Sequence, residues 1–127
     1  MTVKEFRIQY ALGSLSTDNL KELAKNKRTA KKILTILSTN EDLFVVCGVA
    51  ANPNTPARAI KNTYITSKLW SHKKGGLIRY GIATNLSTPV NLLKQLINMY
   101  SKDFWDTFHI EEAAKRTIKK IKKLKKI

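Results

Sequence analysis

The sequence is poor in cysteine, with Cys47 the only one among 127 residues. A single thiol cannot form an internal disulfide, and it cannot build a thiolate metal site. We therefore expect Cys47 to be a buried structural residue. The two histidines, His72 and His109, lie far apart in the sequence and match no metal-binding motif. We accordingly expect no metal and no cofactor.

Long apolar runs are also missing, since no segment approaches the ~20 residues that a membrane-spanning helix needs. The first residues, MTVKEFRIQYALG, carry Glu5 within their apolar region and lack the layout of a signal peptide. The glycine pair in KKGG (73–76) does not match a phosphate-binding loop. These absences favour a cytoplasmic, intracellular protein that is not an enzyme.

Acidic residues are scarce, because 9 Asp and Glu oppose 24 Lys and Arg, which gives a formal net charge of +15 at pH 7. Such an excess attracts polyanions. A secondary concentration of cations lies at 21–32, where six oppose the single acid Glu22. The last fifteen residues, 113–127, contain no acid and eight cations: Lys115, Arg116, Lys119, Lys120, Lys122, Lys123, Lys125 and Lys126.

An internal repeat links two central segments, 43–56 and 76–89, which align without a gap. A weaker copy at 23–34 keeps Ala24, Asn26 and Thr29. In each copy an apolar helical stretch ends at asparagine, and threonine follows three residues later. We interpret the threonine as the N-cap of the next helix and the proline after it as the first helical residue. The identities between the two central copies are Gly48 with Gly81, Ala50 with Ala83, Asn52 with Asn85, Thr55 with Thr88 and Pro56 with Pro89.

Residues 43–60 and 76–96 resemble the leucine-rich repeat variant, a family with the pattern V-R-x-x-V-A-x-N-P-N-T-P-x-x-x-L that is similar in style to HEAT-like repeats. The resemblance is weak over 7–37 and absent after about residue 100. It implies an all-helical, right-handed superhelix that serves as a binding scaffold, and it implies no single activity. Val46 stands where the family has arginine, the link through 61–76 is long, and the cysteines of the family's iron–sulfur members are missing.

The expected fold is therefore all-α, a short right-handed helical-repeat solenoid over residues 1–110 with a basic C-terminal helix over 111–127. That last helix packs on the repeat domain or extends from it. Its Ala114, Ile118 and Ile121 share one face, whereas Leu124 and Ile127 drift around the helix, so its last turns project. We expect helices at 3–12, 17–25, 77–84 and 89–100. Further helices are expected to begin at Thr29, after a cap at Asn40, at Pro56, and at Ser101 or Asp103. The helix from Pro56 is expected to run towards Trp70 and to be broken at Gly75-Gly76.

The predicted nucleic-acid contacts begin with the eight cations of the C-terminal segment. Trp70 could stack on an unpaired base beside Lys73, Lys74 and Arg79, or it could pack between helices while the lysines remain in solvent. Trp105 is expected in the core. A third group lies at a predicted helix start, where cations suit a phosphate next to free N–H groups: Lys27, Arg28, Lys31 and Lys32.

These observations predict a non-catalytic protein that binds DNA or RNA through phosphate contacts and without sequence readout. The alternative is a protein–protein adaptor for an acidic partner or a larger assembly. A membrane partner is disfavoured because the C-terminal segment has no aromatic residue to insert. A comparison with helical DNA glycosylases, suggested by Trp70, Trp105 and Asp106, finds no motif that aligns.

Overall fold

The computed structural model describes residues 1–126, so the prediction for Ile127 lies outside the described residues. The described chain folds into eight α-helices and contains no strand, and the predicted all-α class is confirmed. The helices are α1 (Val3–Ala11), α2 (Thr17–Lys25), α3 (Lys31–Leu37), α4 (Leu43–Ala51), α5 (Ala57–Ser67), α6 (His72–Thr84), α7 (Val90–Tyr100) and α8 (Ile110–Lys125).

Side-chain caps start the first helices close to where the sequence predicts. The Thr2 hydroxyl accepts a hydrogen bond from the Glu5 N–H at the start of α1. Ser16 and Asn19 form a reciprocal capping box at the start of α2. Before α4, Asp42 rather than Asn40 caps the helix, and the Asn40 side chain instead accepts from the Asp42 N–H. Local sequence therefore fixes the starts of α1 and α2.

The even-numbered helices form a row in which α2 contacts α4, α4 contacts α6, and α6 contacts α8. Of the other helices, α1 packs on α3, α3 on α5, and α7 on α6 and α8. The core has two clusters that share α4: Val45 and Val49 belong to the N-terminal cluster, and Val46 and Ala50 to the C-terminal one. Because α4 is buried on both sides, its sequence is apolar all round.

The glycine pair does not break a helix, which corrects the prediction at Gly75-Gly76. Helix α6 begins at His72 and runs through both glycines. A Cβ at Gly75 would lie 2.6 Å from the Ser67 carbonyl oxygen, and one at Gly76 would lie 3.1 Å from the Phe108 ring. The glycines therefore allow close approach of neighbouring segments, and packing outweighs their low helix propensity.

Replacing Gly75 with alanine is expected to lower the free energy of unfolding by about 1–3 kcal/mol, because the new methyl group meets backbone. The gain in helix propensity, about 1 kcal/mol, offsets part of this overpacking. Gly76→Ala is the matched control, since its methyl group meets only a side chain that can rotate, and its effect should be much smaller. Urea denaturation of both variants measures the difference, and equal stabilities would contradict the close approach at Gly75.

The last helix starts later than predicted. Residues 101–109 form turns, and α8 begins at Ile110 rather than near Ser101 or Asp103. The Asp106 carboxylate accepts from the N–H groups of Ile110 and Glu111, so it satisfies the start of α8 from outside the helix.

Trp105 is 71% exposed, so the prediction that it lies in the core is wrong. The half-buried Phe108 packs against the C-terminal cluster instead, next to Gly76.

Candidate nucleic-acid interface

The repeated threonines do not cap the following helices, which corrects the local interpretation of the motif. The hydroxyls of Thr29, Thr55 and Thr88 each donate to a carbonyl six residues earlier, at Leu23, Val49 and Ile82 respectively. Pro56 and Pro89 occupy the N-cap positions of α5 and α7, and neither helix has a side-chain cap. The threonines thus add a side-chain hydrogen bond to carbonyls in the last turn of the preceding helix.

The repeated asparagines join consecutive helices of the row. The Asn52 side-chain amide donates to the carbonyls of Ala24 and Asn26 at 2.8 and 2.9 Å. The Asn85 amide donates in the same way, at the same two distances, to the carbonyls of Ala50 and Asn52. Equivalent residues therefore make equivalent bonds, and the C-terminal ends of α2, α4 and α6 lie side by side.

The turns that follow α2, α4 and α6 lie along one side of the row of helices. We call this side the turn edge and define it by the three turns 26–29, 52–55 and 85–88. In each turn the asparagine side-chain oxygen accepts from the backbone N–H two residues later, at Arg28, Asn54 and Ser87. Asn52 and Asn85 are 2% and 4% exposed, so their polar groups are buried but fully bonded. The turn edge is consequently an ordered surface.

Helix α8 takes the next place in the row without an asparagine turn. The Thr117 hydroxyl donates to the carbonyl of Ala83, the position equivalent to Ala24 and Ala50. Phe108, just before α8, lies against Gly76 near the start of α6, so the two helices run parallel. Helix α8 then continues from Thr117 to Lys125, about 12 Å at 1.5 Å per residue.

We call residues 118–126 the basic extension. Ile118 and Ile121 are half-buried and pack against the C-terminal cluster, whereas Leu124 is 59% exposed. Within residues 1–126 no lysine of the extension forms an ion pair, while Lys115 pairs with Glu111 at 2.9 Å. Arg116 is exposed on the same helix. The extension exposes all of its lysines: Lys119, Lys120, Lys122, Lys123, Lys125 and Lys126.

The N-terminal cation group lies on the same turn edge, at the far end of the row. Lys27 and Arg28 are in the turn 26–29, and Lys31 and Lys32 open α3 directly after it. All four are exposed. The turns 52–55 and 85–88 between the two groups carry no charge. Three helix spacings of about 8–10 Å separate the groups, or about 24–30 Å in total.

The remaining predicted contacts do not reach this edge. Lys73 and Lys74 are exposed near the start of α6, whereas the turn edge lies beyond its end. Trp70 is half-buried and packs against the C-terminal cluster, which is the alternative the sequence left open. The structure therefore unites two of the predicted cation groups on one edge and places the third at the opposite end of α6.

Arg79 is buried, at 4% exposure, which removes it from the set of phosphate contacts. Its Nη1 donates to the Tyr100 hydroxyl at 2.9 Å, and its Nε donates to the Ser67 hydroxyl at 3.1 Å. Burial raises the pKa of Tyr100, and the adjacent Arg79 opposes that rise. The guanidinium therefore joins α5, α6 and α7 inside the core.

Cys47 is half-buried, and burial together with the negative charge of Asp42 raises the pKa of its thiol to about 11. The thiol is thus protonated at neutral pH and a weak nucleophile. Among residues 1–126 no three histidine, cysteine or acidic side chains group as metal ligands. No helix in that range is long and apolar enough to cross a membrane.

Phe104 and Trp105 form an exposed aromatic pair that the sequence did not predict. They are 88% and 71% exposed in the connection between α7 and α8. A local signal was present, because Asp103 and Asp106 flank the aromatic pair and such acids bind turn backbone.

No family model, curated protein or solved structure matches the chain.

Proposed function

We propose that this protein is a short helical-repeat solenoid of the leucine-rich-repeat-variant type that binds nucleic acid without sequence readout and without catalysis. The proposed architecture comprises a right-handed repeat domain over residues 1–110 and a basic C-terminal helix from residue 111 onwards. The observation that carries the proposal is the basic extension, where six lysines are exposed beyond the point at which α8 joins the row.

The repeat interpretation is supported by the asparagine bonds. Chemically identical contacts recur at Asn52 and Asn85, and a threonine bond to the preceding helix recurs at all three turns. A repeat array places each unit mainly against its neighbours. The order of contacts along α2, α4, α6 and α8 agrees with such an array.

Nucleic-acid binding is supported by the distribution of charge. Exposed lysines neutralise phosphates and release condensed counterions, which gives affinity without sequence information. The extension and the N-terminal cation group share the turn edge at a separation of about 24–30 Å. A nucleic-acid backbone can contact both groups, and a small anion cannot.

A second candidate function, an adaptor for an acidic protein segment, is favoured by one groove. A cavity of about 300 Å³ lies between α2 and α4, with Phe44, Cys47 and Ala51 among its lining residues. Lys25 and Lys27 stand at this groove, so an acidic peptide with an apolar anchor fits it. Nuclease treatment of the purified protein discriminates the two functions, since a protein partner survives it and a nucleic acid does not.

The six-lysine variant tests the proposed function. Changing every lysine of the extension to glutamine is expected to weaken duplex DNA binding by about 10–100-fold at 150 mM salt. The slope of log K against log salt should shrink by about 0.9 for each phosphate that the variant no longer neutralises. Fluorescence anisotropy across a salt series measures both quantities. The variant retains Ile118, Ile121 and the buried first half of α8, so the fold should persist.

The matched control changes six exposed cations elsewhere to glutamine and gives the same net charge of +9, because 15 − 6 = 9. The control affinity should fall less than threefold. Equal losses in the two variants would show that net charge alone drives binding and would refute a specific role for the extension. The control set is Lys4, Arg7, Arg58, Lys61, Lys68 and Lys94.

A further inference from the structure

The connection between α7 and α8 displays two bare aromatic rings. We call residues 103–109 the aromatic loop. Phe104 and Trp105 are the most exposed aromatic side chains in residues 1–126, at 88% and 71%. Their ring centroids lie 5.3 Å apart with the planes 85° to each other, so each ring leaves a face open to solvent. Large exposed aromatic residues at one point mark a binding surface.

The aromatic loop is held in place on both sides of the rings. The Asp103 carboxylate accepts from the Trp105 N–H at 2.8 Å and also lies 2.8 Å from His72 Nε2. The Asp106 carboxylate accepts from the Ile110 and Glu111 N–H groups at the start of α8. The rings are therefore presented by an ordered backbone, which reduces the entropy lost when a ligand binds.

Three of the four acids between residues 103 and 112 are already engaged, whereas Glu112 is exposed. Asp103 contacts His72, Asp106 bonds the start of α8, and Glu111 pairs with Lys115. A cavity of about 190 Å³ beside Trp105 is walled mainly by apolar and aromatic groups, and Lys73 lines it. Lys73, which lies off the turn edge, thus stands next to the exposed Trp105 ring.

A stripe of cations runs along α8 from Lys115 into the basic extension. Lys115, Lys119, Lys122 and Lys126 follow one another at helical steps of four, three and four, and all four are exposed. Such steps keep side chains on one face of a helix. The stripe covers eleven residue steps, about 16 Å, and it begins five residues after the start of α8 and continues to the end of the helix that is further from the rings.

We propose that a single-stranded nucleic acid binds along α8, with unpaired bases stacked on Phe104 and Trp105 and with its phosphates on the lysine stripe. This inference rests on the proposed function and names its substrate class. Stacking requires a base whose face is free, which a duplex does not offer, and stacking tolerates any base. The linear arrangement of the cations matches a chain-like polyanion better than the flat surface of a membrane.

The test compares Phe104→Ala/Trp105→Ala with the unchanged protein on a 20-nucleotide oligo-dT, an oligo-U of equal length and a 20-base-pair duplex. We expect both single strands to bind about 10–100-fold more weakly and the duplex to change less than twofold. Leu12→Ala, at a residue 76% exposed on the distant first helix, is the control and should change nothing. Unlabelled oligo-dT should also quench the tryptophan fluorescence of the unchanged protein and not that of Trp105→Ala.

The outcomes separate this inference from the proposed function. If the double variant binds single strands as tightly as the unchanged protein, the stacking site is refuted while nucleic-acid binding stands. If the unchanged protein binds no nucleic acid, both fail. Vesicles of phosphatidylcholine and phosphatidylserine form a further arm. Vesicle binding that depends on Phe104 and Trp105, with single-strand binding unaffected, would identify a membrane contact and overturn the inference.

Discussion

Replacing Asn85 with alanine is expected to lower the free energy of unfolding by about 3–5 kcal/mol, because two buried carbonyls at the end of α4 and the N–H of its own turn each lose a hydrogen bond. The Ala50 carbonyl loses its side-chain donor, the Asn52 carbonyl keeps only the backbone N–H of its own turn, and the Ser87 N–H loses its acceptor. The site is 4% exposed, so water cannot readily replace these bonds. Urea denaturation followed by circular dichroism measures the change.

Asn26→Ala is the matched control for this prediction. Asn26 occupies the same position in the first turn and accepts from the Arg28 N–H, yet it is exposed and no earlier helix of the row lies beside it. Its loss should lower the free energy of unfolding by about 1 kcal/mol. Asn52→Ala should resemble Asn85→Ala. If all three variants lost the same stability, the bonds between helices would contribute nothing beyond the turns themselves.

Arg79→Ala is expected to destabilise the protein by about 3–5 kcal/mol, since it removes the donor shared by two helices packed against α6. The Tyr100 hydroxyl and the Ser67 hydroxyl both lose a charge-assisted hydrogen bond, and a cavity remains in the core. Arg79→Lys keeps the charge but has no planar fork, so it should recover only part of the loss. Thermal and urea denaturation together give both values.

The exposed Arg58 supplies the comparison, because Arg58→Ala removes the same atoms from the surface of α5. Its effect should stay within about 0.5 kcal/mol. Nucleic-acid binding by Arg79→Lys, measured below its unfolding transition, should equal that of the unchanged protein. A selective loss of binding there would instead return Arg79 to the interface.

Several elements could be predicted from sequence because their causes are local. Thr2 and Ser16 start α1 and α2 through hydrogen bonds to residues three positions away. Helical periodicity and the lack of alternating segments predicted the all-α class, which the structure confirms. The turns at Asn52 and Asn85 were found because the same residues recur at the same spacing. The exposed lysines of α8 likewise follow from their number, since a helix cannot bury so many cations without partners.

Other features depend on neighbours that are distant in the chain. The hydroxyls of Thr55 and Thr88 can bond either the start of the following helix or the end of the preceding one. Only the packed turn directs them to carbonyls of the preceding helix. Position 75 lies inside a helix yet carries glycine, because the Ser67 carbonyl leaves no room for a side chain. Neither preference is visible in a short stretch of sequence.

By itself the sequence determined the helical class, the repeated asparagine turns and the concentration of charge near the C-terminus, because propensity, periodicity and composition act within a few residues. The tertiary structure alone decided that Arg79 is buried and Trp105 exposed, and that Thr117 places α8 beside Ala83. Each of these outcomes depends on which segment packs into a given part of the core and which side chain supplies a hydrogen-bond donor there. Such a choice involves residues that are tens of positions apart in the chain.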